Sequence, residues 1–458
     1  MNLSSLIYNR NNTDLESGAS PPEGDYAAIL ERVQTYISKE HAIELADALT
    51  QDNAQATVLN LIQKYVMDEN LALPGMTAEQ LARRLHTDMC GFSVLDRYLH
   101  DPNVEEINVN RYDDIEVRYA DHIEKVPSKF ATPQQAQDIA RRLVHCSGKV
   151  LDSTTPRVDA YTEAGVRIHA KIPPIISTSD GAALSIRKQR NDVFSTEDLV
   201  ETGVATVEML GFLRMCLSYG VSVCIVGETG CGKTTDVTYL LNSLPCNVRI
   251  LTIEDTREIV INPVRDEDGI DKRSFVQECT RTSDDPRLNI TLADLVRDAL
   301  RQNPNLVAVA EMRGEEASDA KTCAESGQTI ITTFHARSAR QAYSRLLSMC
   351  QMNQKESLIP SSIMESLVDL FPIMVHKVTL GDGSRRVYEI AEATGSFECN
   401  AITNTLFQYD LKTGNFQRTG AISDKTALRL LLKGADEQMV AHYKTAPQPQ
   451  QKEDVKGG

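Results

Sequence analysis

The feature that most constrains this chain is a nine-residue segment held between two kinds of pattern. Val221–Val226 is a short apolar, β-rich run, Gly227-Glu228-Thr229-Gly230-Cys231-Gly232-Lys233-Thr234-Thr235 follows it, and Asp236, Val237 and Leu240 then begin a helical spacing. This is G-x-x-x-x-G-K-[ST] in a strand–loop–helix context, a phosphate-binding loop. Gly227, Gly230 and Gly232 let backbone N–H groups curl around a phosphate with no Cβ in the way. Lys233 is placed to reach the β/γ oxygens of a nucleoside triphosphate and the Thr234 hydroxyl to ligate Mg²⁺, while the helix N-terminus adds its dipole. Thr229, Cys231 and Thr235 complete the nucleotide-contacting set.

Binding alone does not hydrolyse a phosphoanhydride, which also needs a metal anchor and a residue that positions water. Two further apolar runs end in acids. Ile250–Ile253 leads into Glu254, Asp255 and Glu258, and Leu306–Ala310 leads into Glu311. Carboxylates at the carboxyl ends of parallel strands face the ligand crevice of an open α/β sheet. Thr329–Phe334 is a third such run and ends at His335. Between the two acidic strands, Thr291 and Asp294 form a capping box for a helix with Arg297 and Arg301 on one side. That pair reads either as a solvated stripe or as cations reaching a phosphate or a neighbouring subunit. Cys231, inside the loop beside Lys233, is expected to have an acidified thiol, open to oxidation or alkylation and protected by bound nucleotide.

Around this core, 458 residues allow two to three domains. Residues 1–24 read as a flexible arm and 25–100 as a helical extension, with Ile29, Val33, Tyr36 and Ile37 at helical spacing and a short helix at Ala78–Leu85. Residues 101–190 form an α+β domain. There Ile107/Val109, Ile115/Val117/Tyr119, Val166/Ile168 and Leu184/Ile186 alternate as half-buried strands, and Pro133–Cys146 is an amphipathic helix. Residues 195–444 form an α/β domain closed by hairpins at Gly381-Asp382-Gly383 and Lys412–Asn415, and 445–458 a disordered tail.

The 64 acidic and 48 basic residues give a formal charge of −16, which disfavours direct contact with nucleic acid. Residues 1–100 carry 14 acids and 7 bases, a candidate adaptor surface. The start has no secretory pattern, no run is long enough to span a bilayer, and the ten cysteines contain no C-x-x-C pair, so buried reduced thiols are expected.

Taken together, GETGCGKTT, TIEDTRE, LVRDALRQNPNLVAVAEMRGEEASDA and TTFHARSA resemble the secretion ATPase superfamily of type II and type IV secretion and pilus assembly. The chain most resembles the CpaF/TadA-type ATPases of tight-adherence pili. GFSVLDRYLHDPNVEEINVN, LDSTTPRVDA, GVRIHAKIPP and ALSIRK extend the resemblance over about residues 85–420. It implies a RecA-like P-loop core at 195–444 and a PAS-like N-terminal α+β domain. It also implies a homohexamer that binds ATP and Mg²⁺ in the cytoplasm, on the inner face of the cell membrane, beneath a platform protein. By motif position, Glu258 resembles the general base, with Glu254 and Asp255 beside it. Glu311 resembles the Walker-B glutamate at the metal, His335 the residue near the γ-phosphate, and Arg167 and Arg187 the N-terminal arginines that approach the nucleotide. Ala310, Arg337, Tyr161 and Gln328 depart from the family pattern. A pilus or secretion motor, a slow nucleotide-gated scaffold and a conjugation ATPase all remain compatible with these residues.

Overall fold

The computed structural model describes residues 23–41, 44, 55–119, 122–162, 165–188, 193–281, 285–352 and 359–446. Residues 1–22 of the expected arm and 447–458 of the expected tail lie outside the described residues. The chain divides into two units, 1–190 and 191–458.

The first unit opens with helices α1 (Glu23–Glu40), α2 (Gln55–Asp68) and α3 (Ala78–Cys90). Val33 and Ile37, Val58 and Ile62, and Leu81 and Leu85 meet in one buried cluster. Thr77 caps α3: its hydroxyl accepts from Gln80 N at 3.2 Å, and Gln80 Oε1 accepts from Thr77 N at 2.9 Å. The helix outruns the expected Ala78–Leu85 because Met89 and Cys90 continue its buried stripe. It stops at Gly91, where a Cβ would stand 2.8 Å from Thr87 O.

After α4 (Asp96–His100) come β1 (Val104–Arg111), β2 (Asp114–Tyr119), β3 (Ile123–Lys125), α5 (Pro133–His145), β4 (Arg157–Tyr161), β5 (Val166–Lys171) and β6 (Ala183–Lys188). The strands pair antiparallel in the order β3-β2-β1-β6-β5-β4. The alternating residues Ile107, Val109, Ile115, Val117, Val166, Ile168, Leu184 and Ile186 turn inward, where they share a core with Ala136, Ile139, Ala140 and Leu143 of α5.

The second unit holds α6 (Thr196–Glu201), α7 (Val207–Ser218), β7 (Val223–Gly227), α8 (Lys233–Ser243), β8 (Ile250–Glu254), β9 (Phe275–Cys279), α9 (Leu292–Gln302), β10 (Leu306–Val309), α10 (Glu316–Glu325) and β11 (Thr329–Phe334). It continues with α11 (Ala339–Cys350), α12 (Pro360–Leu370), β12 (Ile373–Thr379), β13 (Arg385–Phe397), β14 (Asn400–Asp410), β15 (Asn415–Arg418), α13 (Asp424–Leu432) and α14 (Glu437–Lys444). Its nine-stranded sheet has the order β15-β14-β13-β12-β7-β11-β10-β8-β9. Strands β12, β7, β11, β10, β8 and β9 run parallel, and β13 to β15 add antiparallel hairpins.

Every residue of β7, β8, β10 and β11 is buried, because helices cover both faces. Val223 and Ile225 enter one core with Met209 and Leu240, while Cys224 and Val226 enter the other with Val296 and Leu346. Strand β11 separates β7 from β10, the RecA-like order, and β7, β8, β10 and β11, being parallel, bring their carboxyl ends to one edge of the sheet. Among the described residues, no helix is long and apolar enough to cross a membrane. Six of the ten cysteines are buried, and all ten are free thiols.

Candidate functional site

The loop at the end of β7 has the geometry its glycines predict. Gly230 and Gly232 take left-handed backbone angles (φ 80° and 86°) that residues with a Cβ adopt at a penalty. At Gly227 the constraint is space: a Cβ would fall inside the contact shell of Lys377 O and 2.8 Å from Cys231 Sγ. The result is a cradle of backbone opening on the N-terminus of α8. Glu228, Thr229 and Gly230 form its exposed rim, and Thr234 and Thr235 are half-buried at the helix start.

Lys233 is 8% exposed and curls over the loop, donating to Gly227 O at 3.0 Å and Glu228 O at 2.8 Å. Burial lowers its ammonium pKa, against the upward pull of Cys231 and Glu311. Phosphate oxygens would exchange these neutral acceptors for charged ones.

The three other strand ends converge on the same place. His335 Nδ1 lies 3.0 Å from Gly227 O and 3.4 Å from Lys233 Nζ, and its Nε2 lies 3.1 Å from Glu311 Oε1. One imidazole thus spans from the loop strand β7 to the acidic strand β10. Burial alone would raise the Glu311 carboxyl; the hydrogen bond from Arg313, with the charges of Arg313, His335 and Lys233, holds it below the usual value. Arg313 stands 2.7 Å from Glu311 and 3.6 Å from Asp255, linking the ends of β10 and β8. Thr333 ties β11 to the same turn, its hydroxyl donating to Ala310 O at 2.7 Å and its carbonyl accepting from Met312 N at 2.8 Å. Ala310 fits there, its N–H on Ile253 O at 3.0 Å.

Glu254 and Glu258 divide their work. Glu258 is exposed, and its Oε2 lies 3.4 Å from the Thr234 hydroxyl. Glu254 is 0% exposed; its Oε2 accepts from Glu258 N at 2.7 Å and Ile259 N at 2.8 Å. Glu254 therefore shapes the segment that presents Glu258. Burial pushes its carboxyl up to about 7, with the two N–H bonds opposing.

The two candidate arginines of the second unit pair with neighbouring acids. Arg297 pairs with Asp294 at 2.6 Å and Asp319 at 3.8 Å, and Arg301 pairs with Asp298 at 2.6 Å, all contacts on α9 and α10. Arg167 and Arg187 are exposed register partners on β5 and β6 of the first unit. The expectation of an acidified, accessible Cys231 is corrected: its side chain is 0% exposed, and burial raises its thiol pKa although Lys233 and Lys377 pull it down.

Three features were not read from the sequence. Glu316 accepts from the N–H groups of Arg313 and Gly314, fixing the turn after Glu311. Arg313 bridges two acids. Lys377 pairs with Asp236 beneath the loop, and its only signal was a lysine following the apolar start of β12. A recess of about 270 Å³ beside the end of β8 is lined by Asp255, Thr280, Thr291, Glu315 and Glu316.

Residues 88–405 match the family described as type II/IV secretion system protein. An uncharacterized protein of Methanocaldococcus jannaschii is 29% identical over 336 residues, 71% of this chain and 57% of that protein. Another from the same organism is 28% identical over 59% of this chain, which spans only 38% of its length. The Bordetella pertussis type IV secretion system protein PtlH is 28% identical over 257 residues, 50% of this chain and 73% of PtlH. Among solved structures, the VirB11 ATPase of the Brucella suis type IV secretion system is similar over 65% of this chain and 95% of VirB11, at 25% identity and a TM-score of 0.35.

Proposed function

This chain belongs to the type II/IV secretion system protein family, and from that premise we propose that it is an ATP-hydrolysing motor. It works as a cytoplasmic homohexamer beneath an inner-membrane platform protein, driving assembly of a pilus or secretion of protein. The motif blocks of the sequence favour the CpaF/TadA type within that family, with residues 195–444 as the catalytic domain.

The observation that carries this reading is the imidazole of His335, which meets Gly227 O, Lys233 and Glu311 together. It gives the loop strand and the acidic strand a shared contact at the place where a γ-phosphate would be read. The residues fit ATP and Mg²⁺: the cradle at Gly227 excludes a Cβ, and Thr234, Glu258 and Glu311 offer the hard oxygen donors that Mg²⁺ takes. When bound, Mg²⁺ supplies charge neutralisation on the phosphates.

The chain's own residues do the rest. Lys233 would exchange two loop carbonyls for phosphate oxygens, and the Thr234 hydroxyl would help hold Mg²⁺. Glu258, held in place through Glu254, orients water and accepts its proton. Glu311, kept ionised by Arg313, would help hold the metal, and His335 links that acid to Gly227. Direct contact with nucleic acid is not part of this reading.

Steady-state hydrolysis of Mg²⁺-ATP by wild type and Lys233→Ala, under conditions that support oligomers, tests the proposal. A loss of about 100-fold or more in the variant is expected. Wild-type turnover no faster than the variant's would defeat the motor reading, and hydrolysis stimulated by DNA would replace it with a translocase.

A further inference from the structure

Beneath the phosphate loop lies a second ammonium that the loop motif does not contain. Lys377 stands on β12 opposite Gly227 of β7, where the pairing of β12 with β13 is irregular between His376 and Lys377. Its side chain is 2% exposed. Nζ donates to Gly232 O at 3.1 Å and to Asp236 Oδ1 at 2.5 Å. Asp236, in the first turn of α8, is buried, and its Oδ2 has no hydrogen-bond partner among the described residues.

Peptide geometry gives the carbonyl contact a consequence. In a trans peptide the C=O of Gly232 and the N–H of Lys233 point in opposite directions. With the Gly232 oxygen drawn inward to Lys377, the Lys233 N–H faces outward with the first amides of α8, the direction from which an anion meets a helix N-terminus. The first hydrogen bond of α8, from Asp236 N to Gly232 O at 3.2 Å, favours the same orientation, and Lys377 adds a second, charged donor to that oxygen at a glycine whose own backbone imposes no preference. Lys377 also leaves little room for movement: a Cβ on Gly232 would stand 3.2 Å from its Nζ.

The geometry points to Lys377 as a positioning residue for nucleotide binding, one that holds the Gly232–Lys233 peptide in its anion-receiving orientation without touching the nucleotide. This rests on the reading of the loop as an ATP site. The ion pair with Asp236 is the means of keeping an ammonium in a buried place; a buried pair of this kind adds little net stability over well-packed apolar groups.

Two charge-neutral replacements separate positioning from a plain strut between β12 and α8. Lys377→Met/Asp236→Leu fills the site with apolar groups and removes the donor to Gly232 O. Lys377→Gln/Asp236→Asn keeps a neutral donor. Both lose the ion pair, so a strut alone gives them the same nucleotide affinity. Positioning makes the apolar pair bind a fluorescent ADP about three- to tenfold more weakly than the polar pair, the worth of one net hydrogen bond. Equal dissociation constants in two folded variants would overturn the assignment. If the apolar pair does not fold, Lys377→Met against Lys377→Gln makes the same comparison with the same outcomes. Failure of the wild-type chain to bind the probe at all would instead overturn the ATP reading, and the assignment with it.

Discussion

Glu254 offers a test of how burial acts on this site. Its carboxylate is 0% exposed, one oxygen accepts two backbone N–H groups, and the other has no hydrogen-bond partner among the described residues. Burial outweighs the two bonds and raises its pKa from 4.5 to about 7; the facing charges, Glu258 raising and Arg257 lowering, act less strongly. For an acid with a raised folded pKa the sign is fixed. Below pH 4.5 both states are protonated and the group costs nothing. Between 4.5 and about 7 the unfolded chain ionises first, so stability falls by about 1.4 kcal/mol per pH unit, and above 7 the penalty is constant.

From pH 5 to pH 8, wild type should therefore lose about 2.5 kcal/mol relative to Glu254→Gln, which cannot ionise. Comparing the change with pH, rather than the stability at one pH, cancels the altered strength of the bonds to Glu258 N and Ile259 N. The chain contains no tryptophan, so urea unfolding followed by far-UV circular dichroism is the suitable assay, reading the transition that the substitution moves. Wild-type and variant curves that shift in parallel, within about 0.5 kcal/mol over those three pH units, would refute the argument that burial controls this carboxylate.

Three other outcomes follow from the geometry. Glu311→Gln keeps the shape of the turn between Arg313 and His335 but loses its charge; ATP affinity by calorimetry should stay within about threefold of wild type while turnover falls about 100-fold. Gly227→Ala drives a methyl into Lys377 O and Cys231 Sγ; a loss of about 1–3 kcal/mol of stability with at least tenfold weaker nucleotide binding is expected, measured by thermal unfolding and titration. Cys231 should resist iodoacetamide in the native protein, at least about tenfold slower than in the unfolded chain and with no further protection by ATP, as peptide mass spectrometry would read.

The sequence was informative where one local pattern decides the structure. The apolar runs of β7, β8, β10 and β11 are continuous because both faces of the sheet are covered, and the acids and histidine that end them fall at one edge because parallel strands share a direction. Strand-end position does not say which way a side chain turns. Only the family resemblance singled out Glu258 over Glu254 in the acidic box, and the structure separates them physically: one is buried against backbone and the other is exposed. The longest hairpin, β13–β14, escaped notice for a related reason. Its two turn residues, Glu398 and Cys399, both take left-handed angles (φ 46° and 60°) without the Asn-Gly or Asp-Gly pair that marks such turns. Cys231 was misjudged because loop composition gives the charges near a thiol but not its depth, and here depth decides.

The phosphate loop itself makes the same point from the other side. Strand β7 lies between β11 and β12, and each neighbour contributes one side chain to a loop carbonyl: His335 to Gly227 O at 3.0 Å and Lys377 to Gly232 O at 3.1 Å. The first contact is made by a half-exposed ring that also touches Glu311; the second is made by a buried ammonium with its own counter-charge. Carbonyls at both ends of the loop are thus held by residues more than a hundred positions downstream. A nine-residue pattern can announce a phosphate site, but side chains at β11 and β12, on either side of it, supply contacts that the pattern does not contain.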